Sequence, residues 1–192
     1  MDLDIVIIFG SVRTERQGFR VARFLQERCT ERGHKVTLID PMEHPLPLLD
    51  RMYKEYPQGE APEYLEQLAT SFRGADAFII VSAEYNHSIP PALSNLLDHF
   101  LEEYFFRPSA IACYSNGQFG GVRAAVQLRA MLGELGMPSI SSIFPVPKVA
   151  QAFTPEGKPS DDFQYKRAKK FLDELEWYAH ALKDARTKGV PY

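Results

Sequence analysis

Five short apolar runs, rich in β-branched residues, recur along this chain of 192 residues and are separated by stretches of helical periodicity. The runs are Asp4 to Phe9, Lys35 to Ile39, Ala77 to Ser82, Ala110 to Tyr114 and Ser139 to Phe144. This alternation predicts a parallel sheet with helices on both faces, because parallel strands need crossover connections. With no linker in the sequence, we expect one domain over residues 1–192.

Helical periodicity fills the intervals between the runs and gives the fold its expected outline. The helical stretches are 19–32, 63–72, 91–101, 121–135 and 161–185. In the last of these, apolar spacing predicts a buried stripe of Phe171, Leu175, Tyr178 and Leu182. Five strands favour the flavodoxin-like order 2-1-3-4-5 in a three-layer αβα sandwich, in which ligands bind beyond the carboxyl ends of the strands. The candidate site therefore lies in the loops after strands one, three and four.

Composition excludes several classes of function. A net charge of −3 and a pI near 6.0 give no electrostatic reason to expect nucleic acid as a partner. No basic signal segment is visible, and no run approaches the ~18 apolar residues that a membrane helix needs. We therefore expect a soluble, cytoplasmic protein without a membrane partner. The two cysteines and five histidines show no metal-ligand spacing, so we expect no metal.

The loop after the first run is suited to an anion. Gly10 permits a tight turn, and the helix that follows from about Gly18 directs its unpaired N–H groups at this loop. Side chains that suit phosphate oxygens are Ser11, Arg13, Arg16 and Gln17. The alternative is an ordinary strand-to-helix turn with solvated arginines.

The loop after the third run, 82–91, has the composition of a site for a flat heteroaromatic ligand. Tyr85 can pack on a ring while Asn86 and His87 meet the ring's polar edge. The alternative is that Tyr85 belongs to the core, that His87 is a surface residue, and that Glu84 is a solvated charge. In either case we expect Ser88 to cap the following helix.

Three glycines within five residues distinguish the loop after the fourth run. Gly117, Gly120 and Gly121 indicate close backbone approach or repeated positive φ, which a ring edge bound by backbone N–H groups explains. A glycine-rich connection without a ligand is the alternative. Arg123 opens the next helix against its dipole, so we expect it to pair with an anion.

Motifs of several competing chemistries are absent from the sequence. There is no Gly-x-Ser-x-Gly elbow, no Gly-x-Gly-x-x-Gly after a strand, and no Gly-Lys-Ser/Thr in the first loop. Neither cysteine is followed six residues later by arginine, as a phosphatase-type loop requires. The remaining ligand is a mononucleotide with one phosphate and a large planar ring.

Three motifs resemble those of the NADPH-dependent FMN reductase family, which includes quinone, azo-dye and chromate reductases. They are Gly10-Ser11-Val12-Arg13, Glu84-Tyr85-Asn86-His87-Ser88-Ile89-Pro90, and Gly120-Gly121-Val122-Arg123-Ala124 with Leu128-Arg129. The family commonly has proline where this chain has Ala83, and often a Ser-x-Asn pair where this chain has Gln17 and Phe19. The resemblance spans the chain from the N-terminus to about Pro147.

The resemblance implies FMN as cofactor and NADPH or NADH as co-substrate. It implies phosphate contacts from Ser11, Arg13, Gln17, Gly18 and Phe19, and ring contacts from Glu84, Tyr85, Asn86, His87, Ser115, Asn116 and Gly117. Gly120 and Arg123 are expected on the nicotinamide side. The flavin carries the chemistry, so no catalytic side chain is expected. The small-molecule acceptor is a quinone, azo compound, metal oxyanion or free flavin.

Two other functions compete with the reductase. One is an FMN-binding electron carrier that does not oxidise a nicotinamide, and the other is a protein that binds a different phosphorylated metabolite. The resemblance also implies a homodimer or homotetramer. We expect an interface around the helix after the middle motif, where apolar residues are abundant: Leu93, Leu97, Phe100, Leu101, Tyr104, Phe105 and Phe106. The alternative is that these residues close the chain's own core.

Overall fold

A single five-stranded parallel sheet forms the centre of the computed structural model, which describes residues 2–43 and 45–192. Its order is β2-β1-β3-β4-β5, as predicted. The strands are β1 (Asp4–Phe9), β2 (Lys35–Ile39), β3 (Ala77–Ala83), β4 (Ser109–Tyr114) and β5 (Ser139–Val146). The strands β3 and β4 are buried at every position, because helices cover both faces of a parallel sheet.

Two helical layers enclose the sheet. The helices α1 (Phe19–Glu31) and α6 (Phe163–Arg186) bury their apolar side chains in one core cluster. The helices α2 (Glu63–Gly74), α3 (Pro91–Asp98) and α4 (Val122–Glu134) bury theirs in the cluster on the other face. A short helix α5 (Val149–Ala152) follows β5.

The register places three loops at one edge of the sheet. Phe9 at the end of β1 is opposite Val81 of β3, and Ala83 at the end of β3 is opposite Tyr114 of β4. The N–H of Gly10 donates to the carbonyl of Val81 over 3.0 Å, so the chain leaves β1 close to the end of β3. The loops after these three strands therefore meet at the carboxyl edge, as the strand order requires.

The apolar residues after the middle motif belong mainly to the chain's own core. Leu93, Leu97, Phe100 and Tyr104 are fully buried within the chain. The helix α3 ends at Asp98, which lets the following turn fold Phe100 and Tyr104 back against Phe72. These four residues therefore close the chain's own core, whereas Leu101, Phe105 and Phe106 remain half-buried.

The stripe predicted for the C-terminal helix is partly wrong. Phe171 and Leu175 are buried, but Tyr178 is 37% exposed and packs edge-on against Trp177. Leu172 and Ala179 occupy the buried face in its place. Within the part of the chain that the structure describes, no helix has the combined length and hydropathy of a membrane span.

Candidate functional site

A cleft of about 490 Å³ opens where the loops after β1, β3 and β4 meet. Eight of the fourteen residues predicted for the site line it: Ser11, Arg13, Gln17, Glu84, Tyr85, Ser115, Asn116 and Gly117. The other six lie around it without lining it: Gly18, Phe19, Asn86, His87, Gly120 and Arg123. The cleft volume is within the range of small-molecule and cofactor sites.

The loops after β1 and β3 are joined by a hydrogen bond in the cleft. Ser11 is buried, and its Oγ is 2.7 Å from the hydroxyl oxygen of Tyr85. Arg13 is exposed, and its guanidinium carbon is 5.8 Å from the centre of the Tyr85 ring. Among the residues described, Arg13 forms no salt bridge. One end of the cleft therefore carries a cation without an internal partner.

Arg16 is already bound within the chain and was wrongly grouped with the anion-binding side chains. Its guanidinium forms a bidentate pair with the buried carboxylate of Asp40 and donates to the carbonyl oxygen of Ser11 over 3.0 Å. The same group lies 5.0 Å from the centre of the Phe9 ring and 5.2 Å from that of Phe19. Arg16 therefore positions the loop. Sequence analysis missed Asp40, whose only signal was its place directly after β2.

The loop after β3 turns through two residues with positive φ. Asn86 and His87 have φ of 50° and 63°, and Tyr85 and Ser88 exchange backbone hydrogen bonds of 3.0 and 2.9 Å. This is a type I′ turn, which favours Asn at its first central position and strains His at its second. Both central residues are exposed.

Ser88 does not cap the following helix, in contrast to the prediction. Its Oγ donates to Oε1 of Gln127 in α4 over 2.8 Å, and Nε2 of Gln127 donates to the carbonyl of His87 over 2.7 Å. The helix α3 begins after Pro90, which supplies no side-chain cap. Pro91 occupies the first turn, where a missing N–H leaves no partner unsatisfied.

Glu84 and Arg123 satisfy each other. The Glu84 carboxylate accepts from the backbone N–H of Arg123 over 3.0 Å and from its Nη1 over 3.2 Å. The Arg123 guanidinium also lies 4.4 Å from the centre of the Phe119 ring. The pair joins the loop after β3 to the start of α4, so the anion that Arg123 meets is internal.

The glycine-rich loop is shaped by the chain's own backbone. Gly120 and Gly121 have φ of 65° and 82°, and a Cβ on either would come within 2.9 Å of backbone atoms of Pro147 or Tyr114. Ser115 Oγ accepts the N–H of Gly120 over 3.0 Å and donates to the carbonyl of Gly117 over 3.1 Å. Close approach to a ring is therefore unnecessary to explain Gly120 and Gly121.

Tyr114 ends β4 and forms part of the cleft wall, although sequence analysis did not assign it to the site. Its hydroxyl oxygen is buried and has no partner within the described residues, and burial raises the pKa of this phenol above its usual range. Burial likewise raises the pKa of the neighbouring Cys113 thiol to about 12, with the Glu84 charge contributing. Cys113 is therefore a neutral thiol at neutral pH.

An open parallel sheet in this order, with a cleft at its carboxyl edge, defines a flavodoxin-like α/β protein. The family model described as NADPH-dependent FMN reductase matches residues 3–151. The chain belongs to that family and is an NAD(P)H-dependent flavin oxidoreductase with FMN as its cofactor.

Individual relatives agree with the family match. An NAD(P)H-dependent FMN reductase of Schizosaccharomyces pombe is 31% identical over 140 residues, covering 69% of this chain and 67% of the relative. A quinone reductase of Pseudomonas putida is 30% identical, covering 70% of this chain and 72% of the relative. The flavoenzyme NAD(P)H:(acceptor) oxidoreductase FerB of Paracoccus denitrificans shares the fold, with a TM-score of 0.74 at 22% identity over 92% of this chain and 98% of FerB.

Proposed function

We propose that the cleft binds FMN with its phosphate in the loop between β1 and α1 and its ring between the other two loops. The observation that carries this proposal is that the two ends of the cleft differ in their chemistry. The free guanidinium of Arg13 lies at the end next to the start of α1, and the aromatic rings of Tyr85 and Tyr114 line the wall. A phosphate dianion suits the first end, and a planar ring suits the second.

Each residue group has a distinct proposed role. The phosphate contacts come from Ser11, Arg13 and Gln17 and from the backbone N–H groups of Gly18 and Phe19 at the start of α1. Ring contacts come from Glu84, Tyr85, Asn86, His87, Ser115, Asn116 and Gly117. Gly120 and Arg123 border the side from which the nicotinamide enters. The hydroxyl of Tyr114, which has no partner among the described residues, lies buried in the cleft wall.

The chain's own contribution to catalysis is positioning. When bound, FMN supplies the redox chemistry by accepting a hydride from NAD(P)H and giving two electrons to an acceptor. Asn116 and Gly117 at the cleft mouth offer amide donors to the negative charge that develops at the ring's polar edge. We assign no side-chain acid or base, because the flavin carries the redox chemistry and the chain positions it.

We propose a quinone as the acceptor. A P. putida relative named quinone reductase covers 70% of this chain at 30% identity, which supports this choice. Azo compounds, metal oxyanions and free flavin are the alternative acceptors. Comparison of kcat/KM for a benzoquinone, an azo dye, chromate and free FMN with the same enzyme tests the proposal, which fails if the quinone ranks below any of the others.

The decisive experiment combines flavin binding with anaerobic reduction. Protein loaded with FMN is expected to be yellow and to bleach within turnover time when NADPH is added without oxygen. Yellow protein that does not bleach would instead indicate an electron carrier, and protein that does not bind FMN would contradict both functions.

Arg13→Gln is expected to weaken FMN binding by about ten-fold, the usual loss for one charge-assisted hydrogen bond. The control Arg51→Gln removes an exposed arginine elsewhere and should bind FMN normally.

We further propose that residues 1–192 fold as one domain. We also propose that the protein works in the cytoplasm, where NAD(P)H is available.

A homodimer or homotetramer is the assembly that we propose. An apolar groove of about 510 Å³ beside the cleft supports it, with a second copy of the chain as the occupant of the groove. It includes Val12, Met42 and Leu48, and Leu48 is 84% exposed. Sedimentation of the wild type and of Leu48→Glu tests this; a wild-type monomer at micromolar concentration would contradict it.

A further inference from the structure

A second, basic groove lies across the β1–α1 loop from the cleft and has a volume of about 460 Å³. Building on the FMN-dependent oxidation of NADPH proposed above, we propose that this groove binds the 2′-phosphate of the adenosine ribose of NADPH. Arg13, Arg16 and Gln17 border both the groove and the cleft. A dinucleotide with its nicotinamide in the cleft therefore needs only to cross this loop to reach the groove.

The charge of the groove favours a phosphate. Four arginines line it, and Arg16 is neutralised by Asp40. Arg20 donates to the carbonyls of Ala150 and Phe153, which neutralises none of its charge. Within residues 2–43 and 45–192, neither Arg13 nor Arg23 forms a salt bridge, and Glu15 is the one carboxylate in the lining. Asp40 and Glu15 together offset two of the four arginine charges, so the groove keeps a positive net charge.

Arg23 is the side chain best placed to read the phosphate. It is exposed on the first turns of α1, and its guanidinium carbon lies 4.7 Å from the centre of the Phe19 ring. The Arg16 guanidinium lies 5.2 Å from the same ring, and the Phe19 ring meets that of Phe9 edge-on at 5.6 Å. This packing fixes the Phe19 ring on which Arg23 rests. A guanidinium held in this way loses little side-chain entropy when it binds phosphate oxygens in bidentate geometry.

A binding experiment tests the groove without turnover. Calorimetry compares adenosine 2′,5′-bisphosphate, which carries the ribose 2′-phosphate, with 5′-AMP, which lacks it. The bisphosphate is expected to bind the wild-type protein about ten-fold more tightly, the value of one charge-assisted phosphate contact. Arg23→Gln should abolish that preference. Arg51→Gln, which removes another exposed arginine stacked on an aromatic ring, should retain it. Equal affinities in the wild type, or an unchanged preference in Arg23→Gln, would overturn the proposal.

Two further measurements separate this groove from the cleft. The ratio of kcat/KM for NADPH to that for NADH should fall about ten-fold in Arg23→Gln, while the Kd for FMN, measured by flavin fluorescence, stays within two-fold of wild type, because a phosphate contact is lost only in the groove. If the wild-type protein does not bind FMN, the proposed cofactor site is contradicted. The comparison of the bisphosphate with 5′-AMP still tests the groove on its own. If FAD binds more tightly than FMN and Arg23→Gln removes that difference, the groove holds the AMP part of FAD and the proposal is wrong.

Discussion

Gly18 shows how one missing side chain shapes the cleft wall. A Cβ at this position would lie 1.9 Å from Cζ of Tyr114 and 2.1 Å from its Cε1. The backbone φ of Gly18 is −68°, which any residue adopts, so glycine is needed here for space alone. The ring of Tyr114 thus occupies the volume that a side chain at position 18 would fill.

Gly18→Ala is expected to displace the Tyr114 ring or the phosphate loop. Overpacking of this kind should lower the free energy of unfolding by about 1–3 kcal/mol, as measured by urea titration, and flavin fluorescence should report weaker FMN binding. The matched control is Gly133→Ala in α4, where an added Cβ meets nothing within 4 Å. This control should gain about 0.5–1 kcal/mol, because alanine is the better helix former. A Gly18→Ala protein as stable and as tight for FMN as wild type would contradict the packing account.

At the residue scale, the sequence predicted the cleft-lining residues where the pattern is local. Ser11, Arg13 and Gln17 could be assigned because a strand, a glycine and a helix start are adjacent in the chain. Asp40 could not be assigned, because its role depends on β2 lying beside β1 and on the side chain of Arg16 reaching across. Pairing between distant residues decides such roles, and no local pattern records it.

At the scale of elements, the Arg16–Asp40 pair ties the end of β2 to the loop after β1. Asp40 also accepts the N–H of Met42 over 2.9 Å, so its carboxylate orders the start of the next connection as well. Because Arg16 donates to the carbonyl of Ser11, the pair transmits the position of β2 to the proposed phosphate site. The loop is therefore held in shape before any ligand arrives.

Asp40→Asn keeps the shape of the side chain but leaves the Arg16 charge without its partner. The expected loss in the free energy of unfolding is about 3 kcal/mol, at the low end for a broken buried pair because Arg16 retains some exposure. Urea titration measures this loss, and FMN affinity should fall with it. Asp173→Asn is the comparison, since Asp173 pairs with Arg32 at an exposed site and should lose less than about 1 kcal/mol. Equal losses in the two variants would show that the pair does not organise the loop.

Strand positions followed directly from the sequence, whereas helix ends and buried faces did not. The strands β1 and β2 have the predicted limits, because their apolar runs are bounded by polar residues. The end of α3 at Asp98 was missed because the apolar stripe continues past it into a turn packed on Phe72. The exposed Tyr178 was misassigned because α6 turns a face with Leu172 and Ala179 to the sheet.

For the whole molecule, the position of the cleft couples ligand binding to the stability of the fold. Its walls come from the ends of β1, β3 and β4, the three adjacent strands at the centre of the sheet. Non-glycine residues with positive φ occur in two of its loops, at Glu15, Asn86 and His87. Strained backbone at a site persists because the surrounding structure holds it, and a ligand that contacts both loops adds to that restraint.

FMN is therefore expected to raise the melting temperature of the whole chain in one transition. A ligand at about 100 times its Kd stabilises the native state by about 2.7 kcal/mol. For a protein of this size each kcal/mol shifts the melting temperature by about 2–4 °C, so a rise of about 5–10 °C is expected in a calorimetric scan.

Riboflavin at the same concentration lacks the phosphate and should give less than half of this rise. Arg13→Gln should narrow the difference between the two flavins, because it removes the free cation at the proposed phosphate end. Equal shifts with FMN and riboflavin would show that the β1–α1 loop does not bind the phosphate, and two separate transitions would contradict a single folding unit.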